Sequence, residues 1–222
     1  VSANTSGRDV GSVVADLQQR IGNQVDLPEN YYYEVGGQYE NAQQASRRIG
    51  WLSLVALLVV FLLLYQEFGS ARAAGLVLVN LPLALTGGVA ALFLFLGGTL
   101  DIAAMVGFVT LFGIAVRNGI LLVSHYINLL QEDKSLREAV VQGSMERLNP
   151  ILMTALTAGL ALVPLALGGG EPGKEIQTPL AIVTIGGLLT STILNMVVVP
   201  VLFDRFGDAE ELRQEQAETL SA

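Results

Sequence analysis

The residue whose position most strongly suggests chemistry is Arg117, which lies near the middle of a long apolar run. Residues 102 to 131 contain no other Asp, Glu, Lys or Arg. A charged side chain near the centre of a bilayer costs at least about 2.5 kcal/mol, so an arginine there is expected to have a partner and a function. Thr110 and Ser124 each lie seven positions from Arg117, which places both hydroxyls on the same face of a helix. The spacing therefore predicts a polar stripe that faces the interior of a helix bundle.

The partner of Arg117 is predicted to lie outside this chain. No acidic residue falls within the apolar runs, since Asp101 and Asp204 stand at their ends. A guanidinium stays charged while a nearby carboxylate gains or loses a proton, and the change in pairing moves helices. We therefore predict that Arg117 is the charge partner of proton-carrying carboxylates. The alternative is a structural arginine that bonds backbone carbonyls or reaches water.

Asn118 directly follows Arg117, and its amide is predicted either to bond within the same polar group or to hold neighbouring helices together. The hydroxyls of Thr110 and Ser124 have a similar alternative, because hydroxyls in membrane helices mostly bond to the backbone of their own helix. Arg117, Asn118, Thr110 and Ser124 together form the predicted proton-relay or charge-partner site.

We single out three further polar residues of the apolar runs. His125, the only histidine, stands about two turns beyond Arg117. An interfacial position is expected for it, with a role in proton transfer as the alternative. Asn80 and Asn195 are predicted to form hydrogen bonds between helices.

The composition indicates a membrane protein. Hydrophobic residues make up 52% of the 222 residues and charged residues 14%, against about a quarter charged in soluble domains. Residues 46–207 are predicted to form a membrane domain, followed by an acidic tail at 208–222. Five runs in this domain are long enough to cross a bilayer and lack a polar face. They are residues 49–66, 73–98, 102–131, 148–170 and 177–203.

Proline and glycine predict the shape of these runs. Pro82 and the Gly87–Gly88 pair are expected to kink the second run. The glycine pairs at 87–88 and 186–187 also favour close packing of helices. Asn149 and Pro150 are predicted to begin the fourth run as its N-cap and its first helical residue.

The polar segment before the first run predicts a small α/β layer. Residues 1–45 contain a predicted strand (Val1 to Ala3), a helix (about Arg8 to Ile21) and a second strand (Tyr31 to Val35). A helix from about Tyr39 is expected to continue into the first run. Two strands and one helix bury too little surface to fold alone, so partners from further sequence are expected.

The connection before the fourth run has a helix start signal. Ser135 followed by Glu138 is the pattern of a capping box. It predicts a short amphipathic helix with Val140, Met145 and Leu148 toward the membrane surface.

Positive residues in the short connections predict the orientation, because they favour the cytoplasmic side. The connections at 66–72 and 131–147 carry Arg72, Lys134, Arg137 and Arg147, while the two on the other side carry Lys174. The N-terminal segment is therefore predicted to be periplasmic and the acidic tail cytoplasmic. Arg47 and Arg48 oppose this assignment, because they lie on the predicted outer side.

The residue types exclude several functions. The chain has no cysteine, which excludes disulfides and thiolate sites. No Ser/His/Asp set, phosphate-binding glycine loop or group with metal-ligand spacing appears. The net charge of -8, without a basic stripe, argues against nucleic acid as a partner. We therefore predict no enzyme, no metal site within the chain and no cofactor.

Long stretches of the chain resemble the C-terminal end of the resistance-nodulation-division (RND) permeases, in particular their heavy-metal efflux branch. The stretches SANTSGRDVGSVV and VGGQYENAQQASRRI resemble the end of that branch's last periplasmic subdomain and the entry to its eighth helix. LFGIAVRNGILLVSH resembles the tenth helix, where the family places a basic residue followed by asparagine, here Arg117 and Asn118. RLNPILMTALTAGLALVPLALGGG and PLAIVTIGGLLTSTILNMVVVPVLFDRFG resemble the eleventh and twelfth helices. The expected fold is an all-α membrane bundle of five transmembrane helices, resembling helices eight to twelve, preceded by a small α/β periplasmic remnant.

The resemblance implies a homotrimeric, proton-driven pump of the bacterial inner membrane that works with a periplasmic adaptor and an outer-membrane channel. The family's proton-accepting aspartates lie on its fourth helix, which would belong to an N-terminal half that this sequence does not contain. Most of the porter domain and the metal-binding methionines or acids are likewise not in this sequence, so the chain is not expected to transport alone. We predict export of heavy-metal cations by the whole protein. The alternatives are a multidrug or protein-translocation relative and a membrane scaffold without transport.

Overall fold

A computed structural model describes residues 10–25, 28, 32, 35, 38–132, 134–169 and 177–207. These residues form seven helices and no strand. The helices are α1 (Val10–Gln24), α2 (Gln38–Phe68), α3 (Ala71–Leu78), α4 (Asn80–Leu96), α5 (Ile102–Gln131), α6 (Leu136–Leu167) and α7 (Gln177–Phe206). The chain divides into two compact units, Val1–Trp51 and Leu52–Ala222.

Among the described residues, five helical segments are long and apolar enough to cross a membrane, which confirms the predicted all-α bundle. They are Gln43–Phe68, Ala71–Leu96, Ile102–Gln131, Leu136–Leu167 and Gln177–Phe206. The α5 segment has the same bounds as the third predicted run, because a sharp start signal stands at its N-terminus. The side chain of Asp101 accepts a hydrogen bond from the backbone N–H of Ala104 at 2.7 Å, as an N-cap does.

The first unit shows helix where helix was predicted, but not the α/β layer. Helix α1 covers most of the predicted helix and extends it to Gln24. The predicted strand at Val1 to Ala3 lies outside the described residues. Of the predicted strand at Tyr31 to Val35, only Tyr32 and Val35 are described, and neither has regular structure. A strand needs a neighbour to complete its hydrogen bonds, and the described part of this unit supplies none.

The second predicted run is divided at Val79 into α3 and α4. Pro82 has no N–H to donate to the carbonyl of Leu78, so the helical hydrogen bonding is interrupted one turn earlier. The backbone of Val79 nevertheless stays helical (φ -58°, ψ -24°), and Gly87 and Gly88 lie inside α4. The kinks expected at Pro82 and at the glycine pair therefore stay predictions.

The two glycine pairs permit close packing of α4 against α7, as predicted. A Cβ atom at Gly87 would collide with Thr190 and with the carbonyl oxygen of Gly186. One at Gly187 would collide with Leu111 and lie 3.0 Å from the carbonyl oxygen of Ala84. Since backbone cannot yield as a flexible side chain can, these positions require glycine for the helices to approach.

Helices α5 and α7 run in the same direction and are in contact near both ends. A Cβ atom at Gly107 would lie 3.2 Å from Cα of Leu180. At the other end, the rings of Tyr126 and Phe203 pack with their centroids 5.0 Å apart. Helix α7 also packs against α4 and α6, so it is the central element of the second unit.

Helix α6 differs from the prediction. The capping box of Ser135 and Glu138 is present, but the helix it begins continues without a break to Leu167. Asn149 is therefore not an N-cap, and Pro150 lies inside the helix. The missing N–H of a proline costs one helical hydrogen bond, which a helix extended on both sides can tolerate with a kink.

The side chains of this first part of α6 also correct the amphipathic prediction. Val140 is buried against the core, whereas Met145 is 72% exposed and Leu148 is 41% exposed. Val140 therefore departs from the predicted face, because the buried side of α6 here packs against α5. For Met145 and Leu148, which are exposed, the position toward the membrane surface stays a prediction.

Candidate functional site

Arg117 lies in the middle of α5 and borders an open apolar cavity of about 420 Å³ between α2 and α5. Helix α2 contributes Ser53, Ala56, Leu57 and Val60 to the cavity wall. Within the part of the chain that the structure describes, the exposed guanidinium of Arg117 has no hydrogen bond or ion pair. The cavity is thus an apolar groove with one unpaired cation at its edge, and we call it the α2–α5 groove.

The stripe of Thr110, Arg117 and Ser124 does not face the interior of the described helices, as the spacing had suggested. Thr110 and Arg117 are exposed and Ser124 is partly buried. The Thr110 hydroxyl donates to the carbonyl of Val106 at 2.9 Å, which is the bond within its own helix that was the alternative. The face of α5 that packs inward carries other residues. They are Gly107, Leu111, Ala115, Asn118 and Leu122.

Asn118 therefore points away from Arg117, because successive residues of a helix are rotated by about 100°. It is 3% exposed, and its amide nitrogen has no hydrogen-bond partner among the described residues. The structure places the cation on the outer side of α5 and the amide on the inner side. The two neighbours do not meet in one polar group within this chain.

Asn80 and Asn195 are also buried, each with 1% of its surface exposed. The predicted hydrogen bonds between helices are not present, because neither their amide nitrogen nor their amide oxygen has a partner in the described parts of the chain. The sequence thus predicted their burial between helices but not their unpaired state.

A second polar group lies where α5 and α6 approach each other. His125 Nε2 is 2.6 Å from an oxygen of Glu146, and Gln142 donates to the other oxygen at 2.8 Å. Arg147 Nη2 lies 3.5 Å from His125 Nδ1. His125 is 17% exposed, in keeping with its expected position near the end of the span. The pairing of His125 with Glu146 does not follow from the sequence, because residues 131–147 have the composition of a connection, whereas in the structure Glu146 belongs to α6.

The described residues contain no group of three or more His, Asp or Glu side chains arranged to hold a metal ion. The chemistry that the site offers is therefore that of a permanent cation in apolar surroundings. Such a cation attracts a carboxylate and responds to the charge of that carboxylate.

An arginine in the middle of a long apolar helix is typical of membrane proteins in which the charged residue has a function. Residues 1–207 match the AcrB/AcrD/AcrF family, and the chain belongs to this family of efflux permeases. The predicted resemblance to the heavy-metal branch of the RND permeases is confirmed. The family consists of transporters and not of catalytic enzymes.

Two curated relatives and one solved structure illustrate the similarity. The chain is 43% identical over 223 residues to the cobalt-zinc-cadmium resistance protein of Cupriavidus metallidurans, with 99% of this chain and 21% of that protein covered. It is 45% identical over 202 residues to the nickel and cobalt resistance protein of the same organism, with 91% and 19% covered. A crystal structure of a heavy metal efflux pump superposes with a TM-score of 0.77 at 40% identity, covering 90% of this chain and 20% of that one. The chain thus spans about a fifth of the length of the proteins it matches.

Proposed function

We propose that this chain forms the C-terminal part of a proton-driven efflux permease that exports heavy-metal cations. In this proposal Arg117 is the charge partner of proton-carrying carboxylates on a helix outside the chain. The observation that carries the proposal is the exposed guanidinium at mid-span, which lies beside the apolar α2–α5 groove and has no partner among the described residues.

The groove has the properties expected of a docking site for another helix. Its walls are almost entirely apolar, so a membrane helix fits there without leaving polar groups unpaired. Helix α2 is also exposed on most of its apolar surface, as shown by Leu54, Leu58 and Leu62, which are between 54% and 59% exposed. A carboxylate on a helix that occupies the groove would form an ion pair with Arg117. The pair would offset the free-energy cost of at least about 2.5 kcal/mol for an unpaired charge at the centre of the membrane.

The proposed coupling follows from the different chemistry of the two groups. A guanidinium keeps its proton at any physiological pH, whereas a carboxylate beside it can be protonated. When the carboxylate takes up a proton, its attraction to Arg117 is lost and the helix that carries it is free to shift. Helix α5 is packed closely on α7 through Gly107 and Gly187, so a movement at Arg117 is passed on to both helices.

The substrate class is proposed from the relatives, whose names state resistance to cobalt, zinc, cadmium and nickel. We propose divalent cations of this kind as cargo. Following the family resemblance, we also propose a homotrimer in the bacterial inner membrane, joined to a periplasmic adaptor and an outer-membrane channel. The basic residues at one end of the helices support a periplasmic N-terminal segment and a cytoplasmic tail. They are Arg72, Lys134, Arg137, Arg147 and Arg205.

The proposal is tested by replacing Arg117 in the complete permease and measuring cellular accumulation of zinc, cobalt and cadmium. Arg117→Ala is expected to raise accumulation to the level of cells without the pump, and Arg117→Lys to retain part of the export because it keeps the charge. Arg137→Ala is the matched control, since Arg137 is an exposed arginine in the first turn of α6. Export by Arg117→Ala at the level of the control would remove Arg117 from the mechanism.

The same cells separate the two alternative functions. A multidrug or protein-translocation relative would leave metal accumulation unchanged when the whole gene is deleted, but would alter drug sensitivity or the amount of secreted protein. A scaffold without transport would change none of these.

A further inference from the structure

Three asparagines on three packed helices have buried amides without partners. Asn80 of α4, Asn118 of α5 and Asn195 of α7 are between 1% and 3% exposed. Both side-chain polar atoms of Asn80 and Asn195, and the amide nitrogen of Asn118, lack a hydrogen-bond partner among the described residues. An unpaired buried polar group costs about 1 to 3 kcal/mol, and such groups in proteins are almost always paired with protein or with ordered water.

The three amides lie at one depth in the second unit. Gly187 faces Leu111, so α5 and α7 are in register at these two residues. Asn118 is seven residues beyond Leu111 and Asn195 is eight residues beyond Gly187 in parallel helices. The rise of about 1.5 Å per residue places the two asparagines within about 2 Å of each other along the helix axes.

Asn80 reaches the same depth from α4. A Cβ atom at Gly119 would lie 2.5 Å from the amide nitrogen of Asn80, so the amide rests directly against the residue that follows Asn118. Asn80 therefore occupies the junction of α4 and α5, at the level where Asn195 stands on α7.

The neighbouring hydroxyls do not supply the missing bonds. Ser191 and Thr192 both donate to the carbonyl of Leu188, at 3.3 Å and 2.6 Å. The other buried residues of α5 near this depth are apolar, namely Ala115, Leu122 and Val123. The polar groups that remain for the amides are the other amides and small ligands that both donate and accept.

We infer that Asn80, Asn118 and Asn195 form one amide junction that binds water between α4, α5 and α7. A water molecule donates two hydrogen bonds and accepts two, and a buried water typically makes about three. It can therefore accept from the amide nitrogens and donate to the amide oxygens at the same time. The junction carries no charged side chain, which suits a neutral ligand.

Arg117 and Asn118 are consecutive in α5, with Arg117 exposed beside the α2–α5 groove and Asn118 buried in the amide junction. The inference does not depend on the role of Arg117, because it rests on the burial and the unpaired state of the amides. At the middle of α5, polar residues therefore lie both on the exposed face, at Arg117, and on the buried face, at Asn118. The other buried residues of α5 near this depth are apolar.

Water binding is tested by X-ray radiolysis of the complete permease in lipid nanodiscs, followed by mass spectrometry of oxidised side chains. Hydroxyl radicals formed from bound water label the side chains beside it even when these are buried. Leu122 and Val199 lie one turn beyond Asn118 and Asn195. Each is expected to be labelled several-fold faster than a control of the same residue type on α7, Leu188 for Leu122 and Val183 for Val199. All four side chains are at most 2% exposed. Equal, slow labelling of both groups in the unaltered protein would overturn the inference.

The connection among the amides is tested by a double-mutant cycle. Asn118→Leu and Asn195→Leu each remove one side-chain amide from the junction and leave the other without its hydrogen bonds. Each single variant is therefore expected to speed hydrogen exchange of the backbone N–H groups in α5 and α7. The double variant is expected to exchange more slowly than the product of the two single effects predicts, because both orphaned groups are removed together.

Asn128 provides the matched control for the cycle. It is an exposed asparagine on the same helix, so Asn128→Leu combined with Asn195→Leu is expected to give independent effects. Independent effects for Asn118 and Asn195 as well would show that their amides do not share a junction, and would contradict the inference.

Discussion

At the scale of single residues, the chemistry of α5 depends on which side of the helix a polar group occupies. Arg117 borders the α2–α5 groove, and the next residue, Asn118, is buried. Glycine determines how closely these helices approach. At Gly87 and Gly187 a single added carbon would meet backbone or a tightly packed side chain.

We predict that Gly87→Ala destabilises the helix bundle by about 1 to 3 kcal/mol, because the new methyl group collides with the Gly186 carbonyl and with Thr190. Thermal unfolding of the permease in detergent measures the effect. Gly159→Ala is the control, since a Cβ atom at Gly159 has nothing within 4 Å. That variant should be neutral or stabilise by up to about 1 kcal/mol, as removing glycine from a helix does. Equal effects of the two variants would mean that α4 and α7 are not in close contact.

At the scale of the helices, the length of an uncharged run reliably predicts a membrane-spanning helix. A local start signal predicts the first residue of that helix less reliably. The bounds of α5 follow from the sequence, because Asp101 caps its start and polar residues follow Gln131. The start of α6 does not follow from Asn149 and Pro150, since a proline marks either the first turn of a helix or a kink inside it. A proline lies inside a helix when the residues before it are already helical. Here they are, because the capping box at Ser135 begins α6 before Pro150.

The position of the helix start gives a direct prediction. Ser135→Ala should cost about 1 kcal/mol at the first turn of α6, because Ser135 is the N-cap that accepts from the N–H of Glu138. Amide hydrogen exchange over residues 136–141 is expected to become several-fold faster. Asn149→Ala is the comparison and should leave exchange in α6 unchanged, since Asn149 lies inside the helix. The opposite result, with the larger change at Asn149, would indicate two separate helices.

The inward or outward direction of the Arg117 stripe could not be obtained from the sequence. A spacing of seven shows that Thr110 and Arg117 share a face, but both faces of a membrane helix are apolar. The hydrophobic pattern that distinguishes inside from outside in a soluble helix is therefore absent. The small residues Gly107 and Ala115 were the available signal for the inward face. Gly107 allows a close contact with α7, and Ala115 packs with Leu81 and Ala84 of α4.

At the scale of the whole molecule, we propose that the described helices form part of a larger assembly. The matched relatives are about five times as long as this chain, and α2 exposes most of its apolar surface. Both facts agree with further helices packed on this surface, one of which is proposed to bring the carboxylates to Arg117.

The proposed orientation is testable because the chain has no cysteine. In a cysteine-free form of the complete permease, Thr99→Cys lies in the connection before α5 and Ser135→Cys in the connection before α6. A maleimide that cannot cross membranes should label the first from the periplasmic side of spheroplasts and the second only after the membrane is opened. The reverse pattern would place the N-terminal segment in the cytoplasm.

The most direct measurement of the central claim is proton movement during transport. The complete permease is reconstituted in liposomes with a pH-sensitive dye, and a metal-ion gradient is imposed across the membrane. We predict that the unaltered protein moves protons against the metal flux, and that Arg117→Ala, although assembled normally, moves none. Proton movement of the same size in Arg117→Ala would contradict the assignment of Arg117 as the charge partner of the proton carrier.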